Sequence, residues 1–384
     1  MRGALLNSEE RRAARRARRE AARAAKKAAR QADCTLENVA DLGNLYKACA
    51  AASKGVNWKA STQRYQKDVL RNIVKARRDL LEGNDICRGF IHFDLFERGK
   101  LRHISSVHFS ERVIHKSLSV NALVPAITPT LIEANTANIK GKGTDYAIKL
   151  MKKHLADHYR RHGSEGYILQ VDFSDYFAKI AHEPLEDQIA GHLLDERLVE
   201  LTHHLIDVQG DIGLGLGSEP NQICAISFPS CIDHFVTEMC DVEAYGRYMD
   251  DSYCIHTDKE WLHVVRELIE WKCGELGIVV NRRKTRIVKL SKGFTFLKKK
   301  FSYGENGRIV VRPCRDSITR ERRKLKKQHA LYMRGEMTYE QVEQSYQSWR
   351  GGMKRLDAHK TVLAMDALFA QLFSNCNNGG GRND

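Results

Sequence analysis

The stretch Glu243-Ala-Tyr-Gly-Arg-Tyr-Met-Asp-Asp-Ser-Tyr-Cys-Ile-His256 decides how this chain is read. Two runs rich in aromatic and β-branched residues flank a short polar corner. The pattern predicts a β-hairpin with Asp250 and Asp251 at its tip. Adjacent carboxylates repel each other, and water or a cation relieves the repulsion. Taken alone, such a pair reads as a solvated turn, because Asp is common in turns. A second acidic position changes the weighting. Tyr167-Ile-Leu-Gln-Val-Asp-Phe173 predicts a buried strand that closes on Asp172. A carboxylate there is costly unless a cation or a donor meets it; the plainer reading is a cap on the following turn.

Composition narrows the setting. The 384 residues allow two or three compact units, and 42% hydrophobic content is ordinary for a soluble protein. The formal charge of +15 favours a polyanionic partner. Residues 1–32 hold eleven Lys/Arg against three Asp/Glu, a surplus of eight, with no apolar stripe. That segment reads as a solvated helix or a disordered arm, with nucleic-acid binding favoured over a merely solubilising role. The ten cysteines form no CxxC pair, which signals neither a zinc ribbon nor a disulfide framework. Reduced thiols point to the cytoplasm. No apolar run reaches membrane-spanning length, and no signal-peptide core opens the chain.

Helical spacing is expected over 35–82, 145–161, from Pro184 to about Ile206, after Ser218-Glu-Pro-Asn-Gln222 to about Met239, and over 258–276. Extended runs on either side of Glu97-Arg-Gly-Lys100 predict a hairpin that carries Lys100 and Arg102. Such a basic hairpin can hold phosphates; the alternative is an exposed charged edge strand. Lys140-Gly-Lys-Gly-Thr144 mixes glycines with lysines in a phosphate-compatible way but lacks Walker spacing. Gly210 to Gly217 is a glycine loop feeding a helix, where backbone can approach a ligand closely. Gly277 to Thr285 is read as entering another strand, and Phe294 to Val311 as one more hairpin. Basic helices follow from Ser317 and over 338–373. The tail Asn375–Asp384 is read as disordered.

Three segments meet one chemical demand. Joining nucleotides takes two divalent ions roughly 4 Å apart, held by hard oxygen ligands. Asp172, Asp250 and Asp251 on adjacent strands would share such a pair. In this order and context the segments resemble the palm motifs of reverse transcriptases. The resemblance spans about residues 88–370 and is closest to stand-alone bacterial or phage enzymes of the group II-intron-like, diversity-generating or defence-associated type. It implies an α+β right-hand polymerase: fingers, an RRM-like palm of antiparallel sheet plus helices, and a helical thumb. The arm would be 1–34, the fingers with N-terminal helices 35–165, the palm 166–312, the thumb 313–374 and the tail 375–384.

The resemblance also implies roles. Tyr248-Met-Asp-Asp251 matches the Tyr-x-Asp-Asp box, and Asp172 matches the first catalytic Asp. Asp172, Asp250 and Asp251 would be catalytic and would hold Mg2+ (two ions, with Mn2+ as substitute), with Phe173 counted beside Asp172 among the metal contacts. Phe177 matches the aromatic gate against a ribose 2′-hydroxyl. Gln222, in Gly217-Ser-Glu-Pro-Asn-Gln222, would face the nucleotide, although Asn221 stands where this form usually has Ser. Lys284, Arg102 and Lys100 would meet the triphosphate. Arg112, Lys140, Lys142, Arg322, Arg323, Lys326 and Arg350 would contact nucleic acid. The implied activity is an RNA-directed DNA polymerase acting on dNTPs with an RNA template and a DNA or RNA primer, set in anti-phage defence. A structured non-coding RNA or an accessory protein is an expected further partner, and a membrane is not. The alternatives are a diversity-generating enzyme, an RNA-templated RNA polymerase and a non-catalytic RNA-binding palm module.

Overall fold

The computed structural model describes residues 8–97 and 100–374. Arg98, Gly99, the tail from Asn375 and the side chain of Lys100 lie outside the described residues. Among the described residues, nine strands follow in chain order: β1 (Phe90–Glu97), β2 (Lys100–Val107), β3 (Tyr167–Asp172), β4 (Ala244–Tyr248), β5 (Asp251–His256), β6 (Arg286–Lys289), β7 (Phe294–Phe296), β8 (Lys299–Tyr303) and β9 (Ile309–Pro313). They form three antiparallel sheets: the β1-β2 hairpin, a four-stranded sheet ordered β4-β5-β3-β6, and a three-stranded sheet β7-β8-β9. Helices account for most of the remaining described residues.

The four-stranded sheet is covered on both faces, and strand alternation shows how. Leu169 and Val171 of β3 and Cys254 of β5 join the core beneath helix Lys259–Glu275, which contributes Leu262, Val265, Ile269 and Cys273. Their neighbours Ile168, Tyr253 and Ile255 point to the other face, onto Met151 and Leu155 of helix Thr144–His162. Each fully buried Leu or Ile contributes about 1.5–3 kcal/mol. The two central strands are therefore strongly fixed in register, and register matters because a slip of one residue would turn every side chain over.

The β7-β8-β9 sheet shares the second core through Phe294, Phe296, Phe301 and Val311. Its first turn uses Leu297 and Lys298, both at positive φ (46° and 60°), as the twist of a two-residue hairpin demands. Gln170 Nε2 donates to the Thr295 carbonyl at 2.6 Å and ties the two sheets together. Helices Arg315–Met333, Tyr339–Met353 and His359–Phe373 pack around Leu325, Tyr346 and Met365, with Tyr346 stacked on Phe369 at 4.6 Å. At the other end, helix Ser8–Ala32 is exposed over residues 12–29 and anchored only near its C-terminus, where Gln31 reaches the His192 carbonyl. Among the described residues, no helix is long and apolar enough to cross a membrane.

Several expected boundaries move, each for a local reason. The run expected to reach Met239 is two helices, Glu219–Ser227 and Ser230–Met239, separated at Pro229, which has no N–H to donate. The helix expected at Pro184 starts at His182 and stops at Ala190, and a second begins at Glu196 behind the Asp195 cap. Gly277–Thr285 makes no strand beyond a single bridge, Phe173 to Val280. Asn281 turns the chain there, its side chain accepting from the Arg283 N–H at 3.2 Å, and β6 starts only at Arg286. Among the described residues, the block expected over 338–373 is two helices, Tyr339–Met353 and His359–Phe373.

Glu111, on helix Phe109–Leu118 below the β1-β2 hairpin, is 2% exposed and accepts the Arg88 N–H at 3.0 Å. Burial pushes its carboxyl up from 4.5 to about 7 despite that bond. The folded state thus retains a proton that the unfolded chain releases between those values, so stability falls as pH rises from 4.5 to 7. Glu111→Gln is expected to raise the thermal unfolding midpoint more at pH 8 than at pH 5. An equal gain at both pH values would contradict this account.

Candidate active site

The site grows from strand pairing. Asp172, the last residue of β3, lies directly opposite Asp251, the first residue of β5. Asp251 in turn pairs with Tyr248 across a two-residue loop, Met249-Asp250. Met249 sits at φ 56°, a conformation that a residue with a Cβ adopts only at a cost of about 1–3 kcal/mol. Three carboxylates therefore crowd one end of the sheet. Burial first, then Asp250 and Asp172, push Asp251 up to about 7. Lys284 opposes them: its ammonium lies 2.8 and 2.9 Å from the two Asp172 oxygens, and its side chain is 54% exposed. Asp172 raises the Lys284 pKa most, with smaller contributions from Asp250 and Asp251. The Asn281 N–H also donates to the Asp172 carbonyl at 2.7 Å, so the Asn281 turn delivers Lys284 to the carboxylates.

What holds the loop is a pair of residues that the sequence reading did not single out. Arg247, in β4, is 1% exposed and Asp233, on helix Ser230–Met239, is fully buried. Arg247 Nε and Nη2 grip the Asp233 carboxylate at 2.7 and 2.6 Å, and Tyr245 Oη donates to it at 2.7 Å. Arg247 Nη1 donates to the Met249 carbonyl at 3.0 Å, inside the loop itself. The Arg247 backbone binds Ala134 and Thr136 of a neighbouring segment, closing the edge of β4. The available signal was an inward Arg in a strand and an Asp among Ile232, Phe235 and Val236 on a helix; separation in sequence hid the partnership. Gly246 permits the close packing beside it, since a Cβ there would stand 2.6 Å from Tyr253 Oη.

Other expected site residues gather at the same end. Phe173 is 3% exposed and its ring lies against Tyr176, so only its carbonyl has an atom able to bind a cation. Phe177 is half-buried, with its ring edge-on to Tyr176 at 5.8 Å. The glycine loop clamps its backbone: Leu214 N donates to the Phe177 carbonyl and Gly213 N to the Ile180 carbonyl. A Cβ at Gly213 would meet the Ala178 carbonyl at 2.8 Å. The loop also touches β2, where a Cβ at Gly217 would meet the Ser105 carbonyl at 3.4 Å. Gln222 is exposed at the start of helix Glu219–Ser227, and its Oε1 accepts from Asn138 at 2.8 Å. It borders a cavity of about 440 Å3, lined also by Lys54, Arg112, His115 and Lys116.

The remaining candidates lie apart or are already engaged. Arg102 is exposed on β2, opposite Leu95, and Lys100 opens that strand. Lys140 is exposed, whereas the Lys142 ammonium donates to the Glu133 and Asn135 carbonyls at 2.6 and 3.1 Å. Arg322, Arg323 and Lys326 flank a surface groove between helices Arg315–Met333 and His359–Phe373. Arg350 is committed within that bundle, its guanidinium holding Asp366 at 3.0 to 3.3 Å.

No family model matches this chain, and no curated protein matches it. Solved structures similar to it include apo telomerase from Candida tropicalis (13% identity, TM-score 0.41, covering 56% of this chain and 47% of that one). The same telomerase truncated from its C-terminal domain gives 15% identity and a TM-score of 0.40, covering 57% and 54%. Telomerase from Candida albicans in complex with a TWJ fragment of telomeric RNA gives 12% and 0.42, covering 63% and 50%. The chain spans about half the length of these proteins. Similarity at that level transfers no residue role to this chain.

Removing one member of a buried ion pair strands the other, which typically costs about 3–5 kcal/mol. Asp233→Ala is expected to lower the unfolding free energy in urea by that amount. Lys284→Ala, which removes a half-exposed partner, is expected to cost under about 1 kcal/mol. Equal losses would contradict the assignment of Arg247 and Asp233 as the support of the loop.

Proposed function

We propose that this chain is an RNA-directed DNA polymerase that extends a primer on an RNA template by nucleotidyl transfer. One observation carries the reading: Asp172 and Asp251 are direct cross-strand partners, with Asp250 in the loop beside them and Lys284 facing all three. Three carboxylates at one sheet end repel one another and call for cationic compensation; burial, then Asp250 and Asp172, raise Asp251 accordingly. The donor set is hard oxygen throughout, which fits Mg2+. Asp172 and Asp250 would be its principal ligands, with Asp251 assisting.

A bound pair of divalent ions supplies charge neutralisation and activation of a 3′-hydroxyl. The protein's own groups do the rest. The strand pairing fixes the spacing of Asp172 and Asp251, and the Arg247 contact to Met249 fixes the loop that carries Asp250. Lys284 neutralises Asp172 in the resting protein; its exposed stem lets the ammonium transfer to an incoming triphosphate. Phe177, locked by the glycine loop five residues after Asp172, supplies the bulk that excludes a 2′-hydroxyl. Gln222 and the cavity beside it, with Arg112 and Lys116, suit the templating strand and the nucleotide. In this reading the four-stranded sheet is the palm, the β1-β2 hairpin belongs to the fingers, and the C-terminal helices form the thumb. The net charge of +15 serves the polyanionic substrate. The biological setting we assign is defence against phage, with targeted diversification using the same core.

Asp172→Asn and Asp250→Asn are each expected to abolish Mg2+-dependent dNTP incorporation on a primed RNA template, with the fold retained by circular dichroism. Full activity in both variants would reject the site. Phe177→Ala is expected to raise the ratio of NTP to dNTP incorporation at least tenfold, and an unchanged ratio would remove the gate role.

A further inference from the structure

A second cluster of ligand-type side chains lies behind the glycine loop. His182 and Glu186 stand one turn apart on helix His182–Ala190, and Asp207 closes helix Glu196–Asp207. One ligand atom from each lies within 4.8 Å of the other two. His182 is 8% exposed, and its Nε2 donates to the Gly213 carbonyl at 2.8 Å. In the neutral ring that bond makes Nδ1 the acceptor nitrogen, and it faces Asp207 Oδ1 at 3.6 Å. The separation is too long for a hydrogen bond. Two ligands bound at about 2.0–2.2 Å to one tetrahedral ion stand roughly 3.4 Å apart, so the gap has the size of a shared ion. Glu186 Oε1 is shielded from solvent and has no hydrogen-bond partner. Burial raises the Glu186 pKa most, followed by a side-chain hydrogen bond with Asp207 and the charge of that carboxylate, while His203 and His182 oppose the rise. Three ligand-type atoms thus converge, and the two carboxylates lie close enough to share a proton that a cation can replace.

We propose that His182 Nδ1, Glu186 and Asp207 hold one divalent transition-metal ion of the Zn2+ class, with solvent completing its shell. One imidazole and two carboxylates suit that class better than Mg2+, which favours all-oxygen octahedra. The Asp207 side chain is 59% exposed and leaves an entrance. The Nε2 contact to Gly213 is the outer bond that orients a metal-binding imidazole, and His203 braces the helix by donating to the Glu186 carbonyl at 3.2 Å. The ion would join two helices and, through His182, the loop at Gly213. That loop holds the backbone at Phe177 and Ile180. The site is structural: it stiffens the back of the loop without touching Asp172.

The test uses full-length protein carrying Asp172→Asn and Asp250→Asn, so that those carboxylates contribute little to metal binding. Zn2+ is titrated by calorimetry. The expected result is one strong site per chain, weakened at least tenfold by Glu186→Gln with Asp207→Asn and unchanged by Cys87→Ala with His204→Ala. X-ray absorption of the zinc complex should show nitrogen and oxygen neighbours and no sulfur. Absence of a strong site, its persistence in the Glu186/Asp207 variant, or sulfur in the shell would each overturn the proposal. If the double variant fails to fold, the exposed-position variant Asp207→Asn alone gives the same reading. None of these results depends on polymerase activity, so the two readings stand or fall separately.

Discussion

The buried contact between Arg247 and Asp233 is the constraint on which the acidic end of the sheet depends. Burying a guanidinium and a carboxylate is costly, and only a fully hydrogen-bonded arrangement offsets that cost. Here the arrangement is dense: two bonds from Arg247 and one from Tyr245 reach the Asp233 carboxylate. Two more guanidinium N–H groups go to backbone carbonyls, Ile226 on one side and Met249 on the other. Because the second of these carbonyls belongs to the two-residue loop, core packing of helix Ser230–Met239 sets the position of a surface turn. The unfavourable φ at Met249 is held in place by the same bond.

The charge balance follows from this geometry. Strand pairing brings Asp172 and Asp251 together, and the loop brings Asp250 with them. The protein answers with a half-exposed positive group, Lys284, carried by a turn whose backbone is bonded to Asp172 itself. A half-exposed lysine is an adjustable counter-charge: it can leave without exposing a cavity. A buried arginine is not, and the chain uses one where the structure must not move. Division of labour between the two cations matches the reading of a fixed acidic platform that meets changing phosphate charge.

Much of this was legible along the chain, and the misses share a cause. The β-hairpin around Asp250, the strand closing on Asp172, the basic β1-β2 hairpin and the helices over 145–161 and 258–276 all follow from short-range periodicity, and the structure has them within a few residues. Periodicity could not show that Pro229 splits a helix or that Asn281 turns a run rich in valine, because local breakers compete there with an apolar pattern. Nor could it separate a lysine or arginine meant for solvent from one already engaged. Lys142 and Arg350 look like any basic residue in sequence; their partners are carbonyls of a neighbouring loop and an Asp on another helix.

Local pattern alone was enough to tell which segments extend and which coil, and to put Asp172 at a strand end and the Asp250-Asp251 pair at a hairpin tip, since side-chain alternation and turn chemistry act over a few residues. Three-dimensional packing was needed to set Asp172 opposite Asp251, to tie Arg247 to Asp233, and to bring His182, Glu186 and Asp207 together. Those pairings join positions tens of residues apart, and what selects them is the packing of two apolar cores on one sheet, a property that no local window of residues contains.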